Sequence, residues 1–344
     1  MRLRKTNFGN LETIWRNLYK GNEFLTPYSS FEFNKIFYKT YRFGLRRAFF
    51  KAAFYEVIDN HENTIMIIPL FGNKNKYYIF GDLAGTGYLD FIYKRDCAYE
   101  DFDNAFKLLG NELKGSKLFL HKINEKSKLN DYAASNDAFR RNGRVDEDIC
   151  VKISFDSDYG EYFKALSKSV RQNIRTSRNR LEREGLNYRL DIMIDEVIPS
   201  KLKDEMLKVY NQRIVEKYAR SEVSIFIKAV RALAEATRRY VNPITVSTAK
   251  MNGNFNSMLH IDNSLVAFLS GYITDDDTTV IIPQHAMDSR YSRYGPGALL
   301  ISETIKWLTQ NTTIRNLDLS RGSEKYKYSL GGKEHYNYSY EIDL

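Results

Sequence analysis

Three groups of residues in this chain have side chains and spacings that could do chemistry. Gly295-Pro296-Gly297 lies between an apolar strand pattern at 278–287 and an apolar helical pattern at 298–309. A strand, a glycine turn and a helix N-terminus make a seat for a phosphate, because free backbone N–H groups and the positive end of the helix dipole point at it. Gln284 and His285 stand on the strand that enters this turn, Arg293 and Tyr294 in the loop before it, and Ala298 just after it. The second group, Asp318, Arg321, Tyr326 and Lys327, follows a strand pattern at 314–319. A carboxylate, a phenol and two cations can orient a nucleophile, protonate a leaving group and stabilise developing charge. The third group is a basic ridge. Lys164, Lys168, Arg171, Arg175 and Arg178 recur at steps of four, three, four and three along one helical pattern. Like charges so spaced repel by about 0.2–0.5 kcal/mol per pair, which an anion would relieve; a solvated face partly neutralised by Glu182 and Glu184 is the alternative.

Composition bounds what these groups can serve. At 344 residues the chain exceeds the usual single-domain size, so two domains are expected. Hydrophobic residues at 43% and charged residues at 28% fit a globular protein with full cores. Lys+Arg 52 against Asp+Glu 43 gives a net charge of +9, which suits an anionic partner: a phosphorylated cofactor, a nucleic acid or a membrane surface. Cys97 and Cys150 are too few for a disulfide framework or a thiolate metal site. His61, His121, His260, His285 and His335 include no i, i+4 pair, so no metal is expected. The basic start is followed by Asn7, Gly9 and Asn10 where a signal peptide needs apolar residues. No run approaches the roughly 18 apolar residues of a membrane span. These features read as a cytoplasmic protein without a transmembrane segment.

The elements that must position the three groups follow from periodicity. Helical spacing covers 11–20 and 30–41, and strands 49–58, 64–70 and 77–80 follow. Gly85-Thr86-Gly87 reads as a tight turn, and nearby Asp90 is a carboxylate that could line a substrate cleft. A helix at 99–113, a strand at 118–122 and a polar connection at 123–147 close the first half. The second half opens with a strand at 149–154 and one long helix at 159–183, stopped by Gly185. A strand at 190–194, helices at 200–218 and 223–237, and strands at 242–251, 256–261 and 264–273 lead to the phosphate-seat stretch. Pro283, inside the 278–287 strand, cannot donate to a ladder and marks a bulge or an edge. Tyr336, Tyr338, Tyr340 and Ile342 alternate with polar residues in a terminal strand. Both halves run helices, antiparallel hairpin, then strand–loop–helix–strand. The reading is a duplicated α+β architecture with domains at 1–147 and 148–344.

Several motifs carry a family resemblance. Leu166-Ser167-Lys168-Ser169-Val170-Arg171-Gln172-Asn173-Ile174-Arg175, running on to Leu181-Glu182-Arg183-Glu184-Gly185, is a basic opening helix. Leu317-Asp318-Leu319-Ser320-Arg321-Gly322, then Tyr326-Lys327, resembles an Asp-Phe-x-Arg-Gly…Tyr-Lys signature, and Pro296-Gly297 with Leu299-Leu300 a helix start. Together they resemble the GNAT acyltransferase superfamily, in its tandem-domain branch of CelD-like and BioF-like acetyltransferase domains, related to the Fem aminoacyltransferases. The resemblance implies two tandem GNAT-like domains, each a mixed, mostly antiparallel sheet flanked by helices, the first without its own cofactor. It implies acetyl-CoA or another acyl-CoA as donor, and as acceptor an amine or hydroxyl of a sugar, polysaccharide precursor or amino compound. The family's pyrophosphate pattern Gln/Arg-x-x-Gly-x-Gly/Ala falls on Ser292-Arg293-Tyr294-Gly295-Pro296-Gly297, with Ser292 replacing the usual Gln or Arg. Gln284, Arg293, Tyr294, Gly295, Pro296, Gly297 and Ala298 are then the cofactor side, and Asp90, Arg171, Arg175 and His285 the acceptor side. Asp318 becomes a base or substrate orienter, Tyr326 the proton donor to the thiolate, and Arg321 and Lys327 anion or charge stabilisers. Some Fem-like relatives use aminoacyl-tRNA, so a tRNA-dependent transferase, or a phosphate-reading nucleic-acid-binding protein, is the rival reading.

Overall fold

The computed structural model describes residues 1–43, 50–82, 86–136, 139, 145–156, 158–219, 248–249 and 251–344. Gly85, the helix expected at 223–237 and most of the strand expected at 242–251 lie outside these residues. The chain divides into two compact units, Met1–Ile149 with His335–Leu344, and Cys150–Glu334. Residues 335–344, grouped by sequence order with the second domain, thus cluster with the first. No helix among the described residues is long and apolar enough to cross a membrane, and none of their His, Cys, Asp and Glu side chains form a group of three or more that could hold a metal ion.

In the first unit β1 (Arg2–Thr6), β2 (Lys51–Ile58), β3 (Thr64–Asn73), β4 (Lys76–Ile79), β6 (Lys117–Asn124) and β13 (Gly332–Asp343) lie in that order across the sheet, and β5 (Ile92–Tyr93) pairs with β3. All these pairs are antiparallel except β4 with β6, which are parallel and separated in sequence by helix α3 (Tyr99–Glu112). Helices α1 (Glu12–Tyr19) and α2 (Phe31–Phe43) supply the aromatic part of the core. Phe8, Trp15, Phe31 and Phe54 meet ring to ring, and the Trp15 Nε1–H donates to the Ser29 carbonyl at 2.7 Å. The stretch expected as a polar connection holds a helix, α4 (Lys128–Ser135), started by the Ser127 hydroxyl accepting from the Leu129 and Asn130 N–H groups. It buries Leu129, Tyr132 and Ala133 among polar neighbours, a stripe too short to stand out in the sequence.

The second unit repeats the plan. From Cys150 onward β7 (Val145–Ser154) is followed across its sheet by β12 (Asn316–Arg321), β11 (Thr279–Met287), β10 (Ser264–Ile273), β9 (Asn254–Ile261) and β8 (Tyr188–Ile194). β11 and β12 are parallel and the other pairs antiparallel. The chain passes from β11 to β12 through α8 (Pro296–Asn311). Every residue of β9 is buried, which requires cover on both faces of the sheet. One face packs Val280, Ile282, Leu317 and Leu319 against Leu299, Leu300 and Ile305 of α8. The other packs Met258, Phe268 and Ala286 against Met206 and Val209 of α7 (Ser200–Ala219).

The long helix expected at 159–183 is two helices, α5 (Tyr159–Ala165) and α6 (Lys168–Arg183). Leu166 turns extended at ψ 152°, and the Ser167 hydroxyl caps α6 by accepting from the Val170 N–H. Serine competes for backbone hydrogen bonds at such a position, and the basic periodicity running through it conceals the break.

Pro283 sits where the β10–β11 register shifts, between Ser270 and Tyr272. Gly271 makes this bulge possible. A Cβ there would stand 1.9 Å from the Ile281 carbonyl oxygen and 2.9 Å from Pro283 Cδ. Backbone cannot yield as a side-chain tip can, so Gly271→Ala should lower unfolding stability by about 2–3 kcal/mol. Denaturant titration checks this; a loss under half a kcal/mol would mean the bulge tolerates a side chain.

Candidate active site

β11 and β12 pair only at Thr279↔Asn316, Val280↔Leu317 and Ile281↔Asp318. Past that point the ladder stops, although β11 runs on to Met287 and β12 to Arg321, so the two strands part beside the bulge. The N-terminus of α8 stands beside the end of β11. Gly295 is the N-cap at φ 56°, ψ 45°, with no side-chain cap, and Pro296 occupies the first turn, where its missing N–H costs nothing. The N–H groups of Gly297 and Ala298 belong to the first turn and so have no acceptor within the helix. A Cβ on Gly295 would meet Ser177 Oγ of α6 at 2.9 Å, and one on Gly297 would lie 3.4 Å from the sulfur of Met287. The turn is thus held between α6 and the end of β11. Its two arginines are already balanced: Arg290 pairs with Asp288, and Arg293 with Glu184 at 2.5 Å. The buried Tyr294 donates its hydroxyl to the same Glu184 at 2.7 Å, and Arg180 donates to the Arg293 carbonyl. An anion arriving here meets backbone N–H groups first. Gln284 is buried on β11, opposite Ser270 of β10.

The far wall is built from the residues after β12. Asp318 is buried, and its carboxylate accepts the Ser320 N–H at 2.7 Å. That bond stabilises Ser320 at a positive φ of 57°. Lys327 is fully buried in α9 (Lys325–Ser329). Its ammonium donates to the carbonyls of Ser320, Arg321 and Gly322 at 3.0–3.1 Å and pairs with Glu324 at 3.1 Å. Burial pulls its pKa down. Lys327 therefore holds the turn, while Arg321 is left exposed at its edge. Tyr326 reaches the other wall, its hydroxyl 2.7 Å from His285 Nε2. His285 is partly exposed as a residue, yet its Nδ1 is sealed from solvent with no partner. Burial, with Arg213 and Lys327 nearby, lowers the His285 pKa to about 3, so the ring is neutral at physiological pH. A neutral ring that accepts the Tyr326 proton at Nε2 carries its own hydrogen on Nδ1. Burial also raises the Tyr326 pKa well above that of a free phenol. Arg213 of α7 donates to the His285 carbonyl. Nothing in the sequence around Arg213 signals that role.

Residues 168–328 match the acetyltransferase (GNAT) domain family. This part of the chain is a GNAT domain. No curated protein matches the chain. Among solved structures the chain resembles the C-terminal domain of an Agrobacterium fabrum protein assigned as a lysylphosphatidylglycerol synthetase, at TM-score 0.56 and 10% identity over 98% of this chain and 93% of that one. A conserved protein of unknown function from Bacteroides thetaiotaomicron gives TM-score 0.56 and 11% identity over 99% of each chain. L-PGS from Bacillus licheniformis gives 0.52 and 10% over 85% of this chain and 84% of that one. At such identities these likenesses establish the fold.

Three of the remaining sequence candidates are engaged by partners within their own units. Arg171 donates to the carbonyls of Lys164 and Leu166, both at 2.6 Å, and so caps the C-terminus of α5. Arg175 stacks over the Phe163 ring at 5.5 Å, and Arg178 pairs with Glu303 at 2.7 Å and donates to the Tyr159 hydroxyl at 3.2 Å. Arg171, Arg175 and Arg178 of the basic ridge fasten α6 to α5 and α8, while Lys164 and Lys168 are exposed, Lys164 pairing with Glu161 at 2.7 Å. Asp90 belongs to the first unit and is buried there, accepting from the Phe91 N–H at 2.8 Å and the Tyr93 hydroxyl at 3.0 Å. Its neighbour Leu89 bridges to Ile123, the Leu89 N–H donating to the Lys122 carbonyl, so the chain itself lies beside β6 beyond its pairing with β4.

Burial pushes the Asp90 pKa up to about 8. A pKa raised above the unfolded value of about 3.9 favours folding fully below pH 4, and the contribution is lost as pH rises through 8. The isosteric Asp90→Asn should therefore gain on the wild type as pH rises from 5 to 9, by several degrees in Tm. A difference in Tm that stays constant across those pH values would show that Asp90 is ionised throughout.

Proposed function

We propose that the GNAT domain moves an acetyl or other acyl group from acyl-CoA to an amine or hydroxyl of a small acceptor, such as a sugar, a polysaccharide precursor or an amino compound. One observation carries this reading: β11 and β12 diverge beside a helix N-terminus that no side chain caps. The gap suits an extended thioester arm, and Gly297 and Ala298 offer N–H groups to its pyrophosphate. Arg293, Tyr294, Gly295 and Pro296 would shape that seat, and Arg321 would meet an anionic group at the edge.

In the reaction the acceptor nitrogen attacks the thioester carbonyl, the C–S bond breaks, and the nitrogen loses a proton while the thiolate gains one. A lysine-like amine, with pKa about 10.4, arrives mostly protonated. Asp318 is the carboxylate that would orient it and draw off its charge. Tyr326 is the proton donor to the thiolate, and the neutral His285 ring holds its hydroxyl at the gap. Lys327 serves by fixing the turn from which Tyr326 projects. An aminoacyl-tRNA donor would need a phosphate-reading face, and the engagement of Arg171, Arg175 and Arg178 within the domain argues for CoA instead.

Acetyl-CoA at a hundred times its Kd should stabilise the protein by about 2.7 kcal/mol, read as a rise in Tm. Gly297→Glu, which sets a carboxylate against the phosphate seat, should abolish the shift with little change in ligand-free Tm. Absence of a shift with acetyl-CoA and longer acyl-CoAs, beside steeply salt-dependent tRNA binding, would move the reading to an aminoacyl-tRNA donor. In turnover, Tyr326→Phe should lower kcat by about a hundredfold and leave the KM for acyl-CoA unchanged; an unaltered kcat would remove Tyr326 from the proton path.

A further inference from the structure

The α7 face of the second sheet carries a rung of polar side chains that neither the hydrophobic core nor the donor seat explains. Asn256 of β9 is opposite Ser270 of β10, and Ser270 is opposite Gln284 of β11. Directly opposed residues share a face, and alternation puts all three on the side of Met258, Phe268 and Ala286, which pack on α7. Asn256 and Ser270 are wholly buried and Gln284 is 4% exposed. Polar residues in such a place destabilise the fold unless every group is paired.

The pairing is incomplete. The Ser270 hydroxyl donates to Asn256 Oδ1 at 2.6 Å, while Asn256 Nδ2 is sealed from solvent without a partner. Turning the amide over would only exchange which atom is left. An unmet buried amide costs about 1–3 kcal/mol, whereas a leucine of similar volume would cost nothing of that kind. The neighbouring rung, Tyr272↔Ile281 with Ile281↔Asp318, brings Asp318 to the same face. The α8 face, which holds the phosphate seat, is the opposite one.

We propose that Asn256, Ser270 and Gln284 form the floor of the acceptor subsite, and that the acceptor is a hydroxyl-bearing amine. This rests on the acyl-transfer reading and extends it to the acceptor. A hydroxyl both donates and accepts, so it satisfies the Asn256 amide in either orientation. The row is uncharged, which suits hydroxyls better than phosphate or carboxylate, and Asp318 supplies the charge that an ammonium needs. Donor and acceptor then approach the gap between β11 and β12 from opposite faces of one sheet.

The test compares D-glucosamine with cyclohexylamine, two six-membered-ring amines that differ in their hydroxyls, by calorimetric titration of the full chain. The wild type should bind glucosamine at least about tenfold more tightly, because a site built to hydrogen-bond a hydroxyl rejects the analogue lacking it. Asn256→Leu should bring the ratio close to one while Tm holds or rises and the acetyl-CoA shift persists. Ser270→Ala, a smaller change, should narrow the same ratio and serves if Asn256→Leu fails to fold. No preference in the wild type, or a preference that survives substitution, overturns the proposal. An absent acetyl-CoA shift counts against the donor reading alone, and the glucosamine ratio still decides the subsite.

Discussion

Two neighbouring strands that stop pairing after three residues leave backbone carbonyls and N–H groups that must find other partners, because a buried orphan costs as much as a lost hydrogen bond. The second unit meets this requirement with side chains. Past Ile281, the carbonyl of His285 takes the Arg213 guanidinium. Past Asp318, the Ser320 N–H returns to the Asp318 carboxylate, and the next three carbonyls converge on the Lys327 ammonium. One cation at each wall keeps the strands from closing. Both strands lie in the GNAT domain, and the donor site proposed for it depends on that separation.

Burying Lys327 is expensive: desolvation pulls its pKa down, and the groups around it, Glu324 above all, oppose that fall and offset the cost. A desolvated ammonium is tolerated when its hydrogens reach good acceptors. Here three carbonyls and Glu324 surround it. The same logic holds at the turn before α8 with the signs changed. Arg290 and Arg293 each face a carboxylate, so the loop is stable without an anion, and its backbone N–H groups remain available. Stability and readiness are divided between side chain and main chain.

What could be read from the sequence was local. Gly295-Pro296-Gly297 at a strand–helix junction stands out because turn geometry and helix initiation are decided by neighbouring residues, and the structure puts Gly295 at φ 56° there. Pro283 announced its bulge for the same reason. The strands and helices flanking the site were legible within a residue or two. What escaped was long-range. His335–Leu344 cluster with the first unit, a fact no periodicity in the last strand records. The ridge of Lys164 to Arg178 has an amphipathic spacing, but that spacing is blind to what each guanidinium meets; Arg171 turned back onto α5 and Arg178 across to α8. Lys327 looked like a reagent because of its motif, and only burial shows it as a clamp.

The polar rung raises the same issue from the side of stability. The core on the α8 face packs Val280, Ile282, Leu317 and Leu319 against the helix, and the buried polar pair there, Ser257 of β9 and Thr304 of α8, is matched hydroxyl to hydroxyl at 2.7 Å. The α7 face at the same level replaces hydrocarbon with an asparagine, a serine and a glutamine, one amide incompletely satisfied. A sheet selected only for stability would have kept both faces apolar, since each such exchange for a leucine or valine removes an unmet group and adds buried area. The contrast between a matched hydroxyl pair on one face and an unmet amide on the other is what the acceptor proposal accounts for. Folding alone gives β9, β10 and β11 no reason to align their polar residues in one register.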